Sequence, residues 1–124
     1  QTYRRLGNLN KKDEFENFRI ELIDRFGNIP KQLDYLIKIM KIKLNCEDSG
    51  IHRIDSGING ATIEFINNGY IDPNKFISWL EKSIYDLKLR NDQKIFIAYK
   101  WNNIEERLDI IESITSEIKG LVDY

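Results

Sequence analysis

The stretch SGIHRIDSGINGATIEFI, residues 49–66, decides the fold. Before it, apolar residues recur at helical spacing. Within it the period drops from 3.6 to 2, and residues 51–55 and Ala61 to Ile66 read as two short strands. Ser56-Gly57-Ile58-Asn59-Gly60 joins them with residues that accept positive φ, and Asn67-Asn68-Gly69 closes the hairpin. Gly57-x-x-Gly60 shares its spacing with phosphate-cradling GxxG loops. It joins two strands, however, and carries no Lys or Arg between the glycines, so a hairpin turn is the better reading.

Upstream, a helix is predicted from about Lys11 to Phe26, with Asn10 as N-cap and Asp13 complementing the orphan amides. Phe15, Phe18, Leu22, Ile23 and Phe26 form its apolar stripe, and Gly27 supplies the left-handed residue beyond its end. Residues 1–9 read as a lead-in in which Tyr3 and Leu6 anchor a turn, Arg4 and Arg5 face out and Gly7 breaks it. Pro30 occupies a first-turn position of a second helix with the stripe Leu33, Leu36, Ile37, Met40 and Leu44, widened by Ile39, Ile42 and Cys46 and ended by Ser49-Gly50. So short a link makes the two helices an antiparallel αα-hairpin.

Downstream, Asp72-Pro73 is an N-cap followed by a first-turn proline, launching a helix with Phe76, Ile77, Leu80 and Ile84 inward. Tyr85, Leu87 and Leu89 alternate with polar residues, Asn91-Asp92-Gln93 turns, and Lys94 to Lys100 returns as a fourth strand. Asn102 or Asn103 caps a last helix whose stripe is Ile104, Leu108, Ile111, Ile114 or Thr115, Ile118 and Leu121. The pattern ααββαββα segregates its elements. It predicts an α+β fold, with an N-terminal αα-hairpin and two short β-hairpins forming a small, mostly antiparallel sheet.

Composition bounds the rest. The 124 residues fit one domain, 1–124, and Lys+Arg 19 against Asp+Glu 20 gives a net charge of -1, which disfavours a generic nucleic-acid binder. One Cys and one His exclude an intrachain disulfide and a His/Cys zinc cluster. No run of apolar residues reaches membrane-span length and no signal peptide is evident, so a cytoplasmic protein in a reducing compartment is expected. The first residue is Gln1 rather than Met, which suggests a piece of something larger.

Catalytic chemistry has little to stand on. Cys46 falls on the apolar side of its helix, where a buried thiol is ordinary, and His52 opens a strand among charged residues. No P-loop, GxGxxG, GxSxG or HExxH is present. Trp79 and Trp101 read either as partner-binding anchors or as amphipathic caps on the core edge.

The outer side of the first helix carries more. Glu14, Asn17, Glu21 and Asp24 fall at i, i+3, i+7 and i+10 and form one polar ridge of mainly negative sign. Solvation alone accounts for such a ridge, and Glu21 can pair with Arg25 at i+4 for only ~0.2–0.5 kcal/mol. Asp24 is harder to explain, because it sits in the last turn, where the helix dipole disfavours an acid by roughly 0.3–1 kcal/mol. On the second helix, Lys31, Lys38 and Lys41 share one side with Asp34 interleaved, a solvated face that could also touch a phosphate backbone.

The run Glu21-Leu22-Ile23-Asp24-Arg25-Phe26-Gly27, with Ile29-Pro30 after it and Tyr3-Arg4-Arg5-Leu6 before it, closely resembles the C-terminal domain of the bacterial transcription-repair coupling factor family. The order of later elements agrees along nearly the whole chain, resting beyond about residue 66 on pattern more than identity. Gly7 stands where the family tends to have Ala, and Met40 where it has a small residue.

The resemblance implies a part of an ATP-driven DNA translocase, a helicase-like motor of transcription-coupled DNA repair. Such a protein binds stalled RNA polymerase and DNA and recruits excision factors through UvrA. Within it this domain is expected to be non-catalytic and without a cofactor, ATP and magnesium belonging to the translocase modules. It is expected to act by autoinhibition, folding back on the N-terminal UvrB-like module of the same chain and masking the surface that UvrA needs. By resemblance Glu21 and Asp24 meet basic residues there, with Glu14, Asn17 and Arg25 beside them as the protein–protein interaction site. The alternative is an accessory DNA-contacting module that uses the Lys31, Lys38, Lys41 face.

Overall fold

The computed structural model describes residues 12–66, 72–90 and 94–122. In chain order these form α1 (Lys12–Phe26), α2 (Lys31–Ser49), β1 (Ile51–Gly57), β2 (Gly60–Phe65), α3 (Pro73–Lys82), β3 (Asp86–Arg90), β4 (Lys94–Ala98) and α4 (Ile104–Leu121). Among the described residues, four helices accompany one fully antiparallel sheet of strand order β1-β2-β4-β3, an α+β fold as the segregated pattern predicts. The lead-in, the Asn10 cap and the turns at Asn67–Gly69 and Asn91–Gln93 lie outside the described residues.

Local chemistry sets the helix ends. Gly27 takes φ 78, and its N–H donates to the Ile23 carbonyl at 2.8 Å, closing α1. Gly50 takes φ 68 after α2 and donates to the Cys46 carbonyl. Pro30 stands just ahead of α2 rather than inside it, with extended ψ of 144. Asp72 accepts from the Asn74 N–H with Pro73 as the first residue of α3, and Asn103 accepts from the Glu106 N–H to start α4. Glu106 in turn accepts from the Asn102 N–H at 2.7 Å, so each side of the α4 start satisfies the other.

The hairpin turn is tighter than the sequence suggests. Strands continue to Gly57 and from Gly60, which pair directly, leaving Ile58-Asn59 as a two-residue connection. Gly60 has φ 142, and a Cβ there would sit 1.8 Å from the Ile97 carbonyl oxygen, so only glycine lets β4 approach. At the other end of β1 the register shifts between Ile51 and Arg53, leaving exposed His52 as a bulge.

Helix α2 is buried from two sides, which explains its wide apolar stripe. Leu33 and Ile37 join Phe15, Phe18 and Leu22 in a core between α1 and α2, with Leu36, Met40 and Leu44 packed on it. Its Ile42 and Cys46 pack instead on a second core of Ile51, Ala61, Ile63, Ile95 and Ile97 from the sheet and Ile110, Ile111, Ile114 and Ile118 from α4. Each fully buried isoleucine contributes on the order of 1.5–3 kcal/mol.

Side-chain pairs fix the helix directions. Arg19–Asp34 and Glu16–Lys41 run opposite ways along α1 and α2, as an αα-hairpin requires. Tyr35–Glu105, Lys38–Asp109, Asn45–Thr115 and Asp48–Lys119 advance together, so α2 and α4 lie parallel.

Several residues assigned to apolar stripes face solvent. Ile23 and Phe26 at the end of α1, Ile39 on α2, Ile77 on α3, Ile84 and Leu89 around β3, and Ile104 at the start of α4 are all exposed. Ile39 and Ile77 lie mid-helix between packed neighbours, so there the packed face is narrower than the apolar stripe. Trp79, placed off the main α3 stripe by its spacing, packs against the sheet core beside Phe76.

Candidate protein-interaction surface

The helix α1 presents its ridge as a row one side chain wide. Successive positions at i, i+3 and i+4 stack along a helix face, so Asn17, Glu21 and Asp24 adjoin one another, with Glu14 a turn earlier. Phe15, Phe18 and Leu22 hold an adjoining side against α2, and this anchoring turns the ridge outward. Glu14, Asn17 and Asp24 are exposed, and Glu21 is partly covered. Arg25 approaches Glu21 at 3.7 Å, a loose pair with Arg25 65% exposed. Asp24 has no ion pair among the described residues, although it occupies the last turn of α1, where carbonyl ends repel an acid.

The ridge has an apolar border that its charge pattern hid. Ile20, 51% exposed, borders it, whereas Ile23 at 38% and Phe26 at 65% lie progressively further round the helix. Ile20 sits three residues after Asn17 and four before Asp24, on the polar side of the helix. That position was the available signal, since an apolar residue among acids has no core to enter.

The lysines of α2 do not make one free basic face. The Lys38 ammonium lies 2.8 Å from Asp109 of α4 and 4.0 Å from Asp34, and the Lys41 ammonium lies 2.9 Å from Glu16 of α1, with these side chains only 19% and 11% exposed. Burial works against the Lys38 charge, but the Asp109 hydrogen bond and surrounding acids prevail and raise its pKa. The Lys41 hydrogen bond lowers that of Glu16. Arg19 completes the run by donating to Asp34 at 3.0 Å, so alternating charges link α1, α2 and α4. Of the three lysines, Lys31 alone lies on the open surface.

Other candidates resolve into structure. Burial, reinforced by Glu47, pushes the Cys46 thiol up to about 11, which keeps it protonated and unreactive at neutral pH. Trp79 donates from its indole to Glu117 at 2.8 Å and Trp101 donates to the Gly57 carbonyl at 2.6 Å, each with its ring packed on the core edge. Among the described residues no group of three or more His, Cys, Asp or Glu could hold a metal, and no helix is long and apolar enough to cross a membrane.

A family model for the TRCF domain matches residues 1–76. The chain is 39% identical over 98 residues, 79% of its length, to a transcription-repair-coupling factor from Rickettsia bellii, of which it covers 9%. It is 23% identical over 117 residues, 94% of its length, to the Escherichia coli transcription-repair-coupling factor, of which it covers 10%. The chain therefore spans about a tenth of the length of these curated relatives. Its fold is similar to a crystal structure of the C-terminal domain of transcription-repair coupling factor, with a TM-score of 0.73 at 20% identity over 96% of this chain and 79% of that one. Sequence and fold agree: the chain belongs to the transcription-repair coupling factor family and has the architecture of that family's C-terminal domain.

Proposed function

We propose that this chain is the non-catalytic, autoinhibitory domain of a transcription-repair coupling factor. It docks α1 onto the N-terminal UvrB-like module of the same protein and masks the surface through which UvrA is recruited. The rest of that protein supplies the ATP-driven translocase and its contacts with RNA polymerase and DNA. Asp24 carries this reading: an exposed acid at the disfavoured end of a helix, beside Glu21 and Glu14, is explained by a basic partner.

A tethered contact needs little intrinsic affinity. Linked modules meet at effective concentrations commonly near mM, so a few charge-assisted contacts hold the domain closed, and a motor stroke that separates the modules opens it. The engagement of Lys38 and Lys41 within the fold weighs against the accessory DNA-contacting role, because those charges are already neutralised.

The experiment is charge reversal, E21K with D24K, in the full-length protein. UvrA capture should rise well above that of the parent protein. Capture that stays at the parent level would overturn the autoinhibitory role.

A further inference from the structure

The sheet has two unlike faces. Ile63, Ile95 and Ile97 turn toward the helices and are wholly buried, while the residues alternating with them turn away. Strand register lines up Asp55, Thr62, Phe96 and Lys88 across that outer face, with Arg53, Glu64, Lys94 and Arg90 in the adjoining row. Phe96 belongs to neither packed core, so it is an aromatic ring on a central strand of the open face. Cations surround it. The Arg90 guanidinium lies 5.0 Å from the ring centroid, Lys88 is exposed and makes no ion pair among the described residues, and Lys94 reaches Glu64 only at 4.0 Å. Beside the ring a groove of about 390 Å³ extends to the hairpin tip, lined by Phe96, Thr62, Asp55, Ser56 and Asn59. Gly60 keeps it open, because a Cβ there would also press on the Phe96 ring at 3.3 Å.

We infer that this face binds single-stranded RNA, with one base seated in the groove against Phe96 and the flanking phosphates on Lys88, Arg90 and Lys94. A flat ring takes the π-face of any base, the planar guanidinium of Arg90 extends that stacking surface, and cations around an aromatic neutralise the backbone. A duplex offers no such face, since its bases are already stacked on one another. The groove wall selects the sugar. The Asp55 carboxylate, held by Arg53 at 3.0 Å, repels phosphate but accepts from a hydroxyl, and of the two sugars only ribose carries one at the 2′ position. A chain of net charge -1 has no basic stripe for duplex DNA, but three cations about one ring suffice for a short, local contact. No residue of α1 takes part, so this inference stands apart from the docking role proposed above.

The test uses the 124-residue chain with fluorescein-labelled oligonucleotides of one short mixed sequence, as single-stranded RNA, single-stranded DNA and RNA duplex. Anisotropy gives affinity between ~50 and ~200 mM NaCl. Single-stranded RNA should bind most tightly, log K falling against log salt with a slope of about -2, as three phosphate contacts on a single strand give. K88S/R90S should reduce that slope to about -0.7, and F96T should weaken binding about fivefold or more at every salt. D55A should remove the preference for RNA over DNA. These side chains lie outside both cores, and a urea midpoint near the parent's confirms that each variant is folded.

Failure of the RNA to bind at ~0.1 mM chain, or binding of F96T and K88S/R90S as tight as the parent's, would overturn the inference. DNA or duplex bound as tightly as single-stranded RNA would overturn the assignment of the occupant.

Discussion

Asn45 on α2 donates its side-chain amide to the hydroxyl of Thr115 on α4 at 3.1 Å, and both residues are buried, 1% and 0% exposed. Thr115 passes the bond on to the Ile111 carbonyl at 2.8 Å, so a short polar chain is sealed between two parallel helices. Apolar surface alone would let those helices slide, and this bond fixes their register. Substitution T115V keeps the shape but leaves the Asn45 amide only its longer bond to the Glu112 carbonyl at 3.5 Å, and should cost about 1–3 kcal/mol in urea unfolding. The double variant N45L/T115V removes both partners and should recover part of that loss, giving a non-additive cycle.

Gly60 and Gly57 face each other across the hairpin yet predict opposite outcomes. At Gly60 a methyl would strike the Ile97 backbone and the φ is positive, so G60A should destabilise by at least ~2 kcal/mol or disrupt pairing of β2 with β4. At Gly57 nothing lies within 4 Å of the added carbon, and G57A should fall within about 0.5 kcal/mol of the parent. Equal effects on thermal unfolding would contradict the close approach of β4.

What the sequence made legible follows the range of the interaction. Helix ends were readable because a cap is decided within four residues, as at Gly27, Gly50, Asp72-Pro73 and Asn103. The α+β class followed from the change of period at Gly50. Period assigns a face but neither its width nor the length over which it is covered, so Ile23 and Phe26 near the end of α1, Ile77 between the packed Phe76 and Trp79 of α3, and Ile84 beyond the end of α3 were placed inside although all four are exposed. Lys38 and Lys41 looked like a free basic face because their acids are distant in sequence, Asp109 by 71 positions and Glu16 by 25. The ridge was legible as a pattern, and the exposure of Ile20 beside it was not, since exposure depends on the whole fold.

Cys46 should behave as a core residue under chemical probing. Its thiol, held near 11, presents almost no thiolate at neutral pH, so a disulfide reagent should label it very slowly in the native chain and promptly in urea. Rapid native labelling at a rate close to that of the unfolded chain would contradict its partial burial against the sheet core.

The Glu16–Lys41 pair gives stability a defined acid limb. Lys41 holds the Glu16 carboxyl below its ordinary value of 4.5, so the native state favours the ionised form more than the unfolded chain does. A carboxylate depressed on folding contributes fully above the unfolded pKa and loses that contribution as pH falls through the folded one. The loss from this pair therefore begins near pH 4.5 and is complete below the depressed native value. With Glu16 itself 50% exposed, solvent screening keeps the effect under ~1 kcal/mol. E16Q should show a smaller drop in urea midpoint than the parent between neutral and strongly acidic pH, while the two chains differ most at neutral pH. Parallel curves across that range would show that the pair adds nothing to the αα-hairpin, and that α1 is held on α2 by Phe15, Phe18 and Leu22 with the Arg19–Asp34 pair.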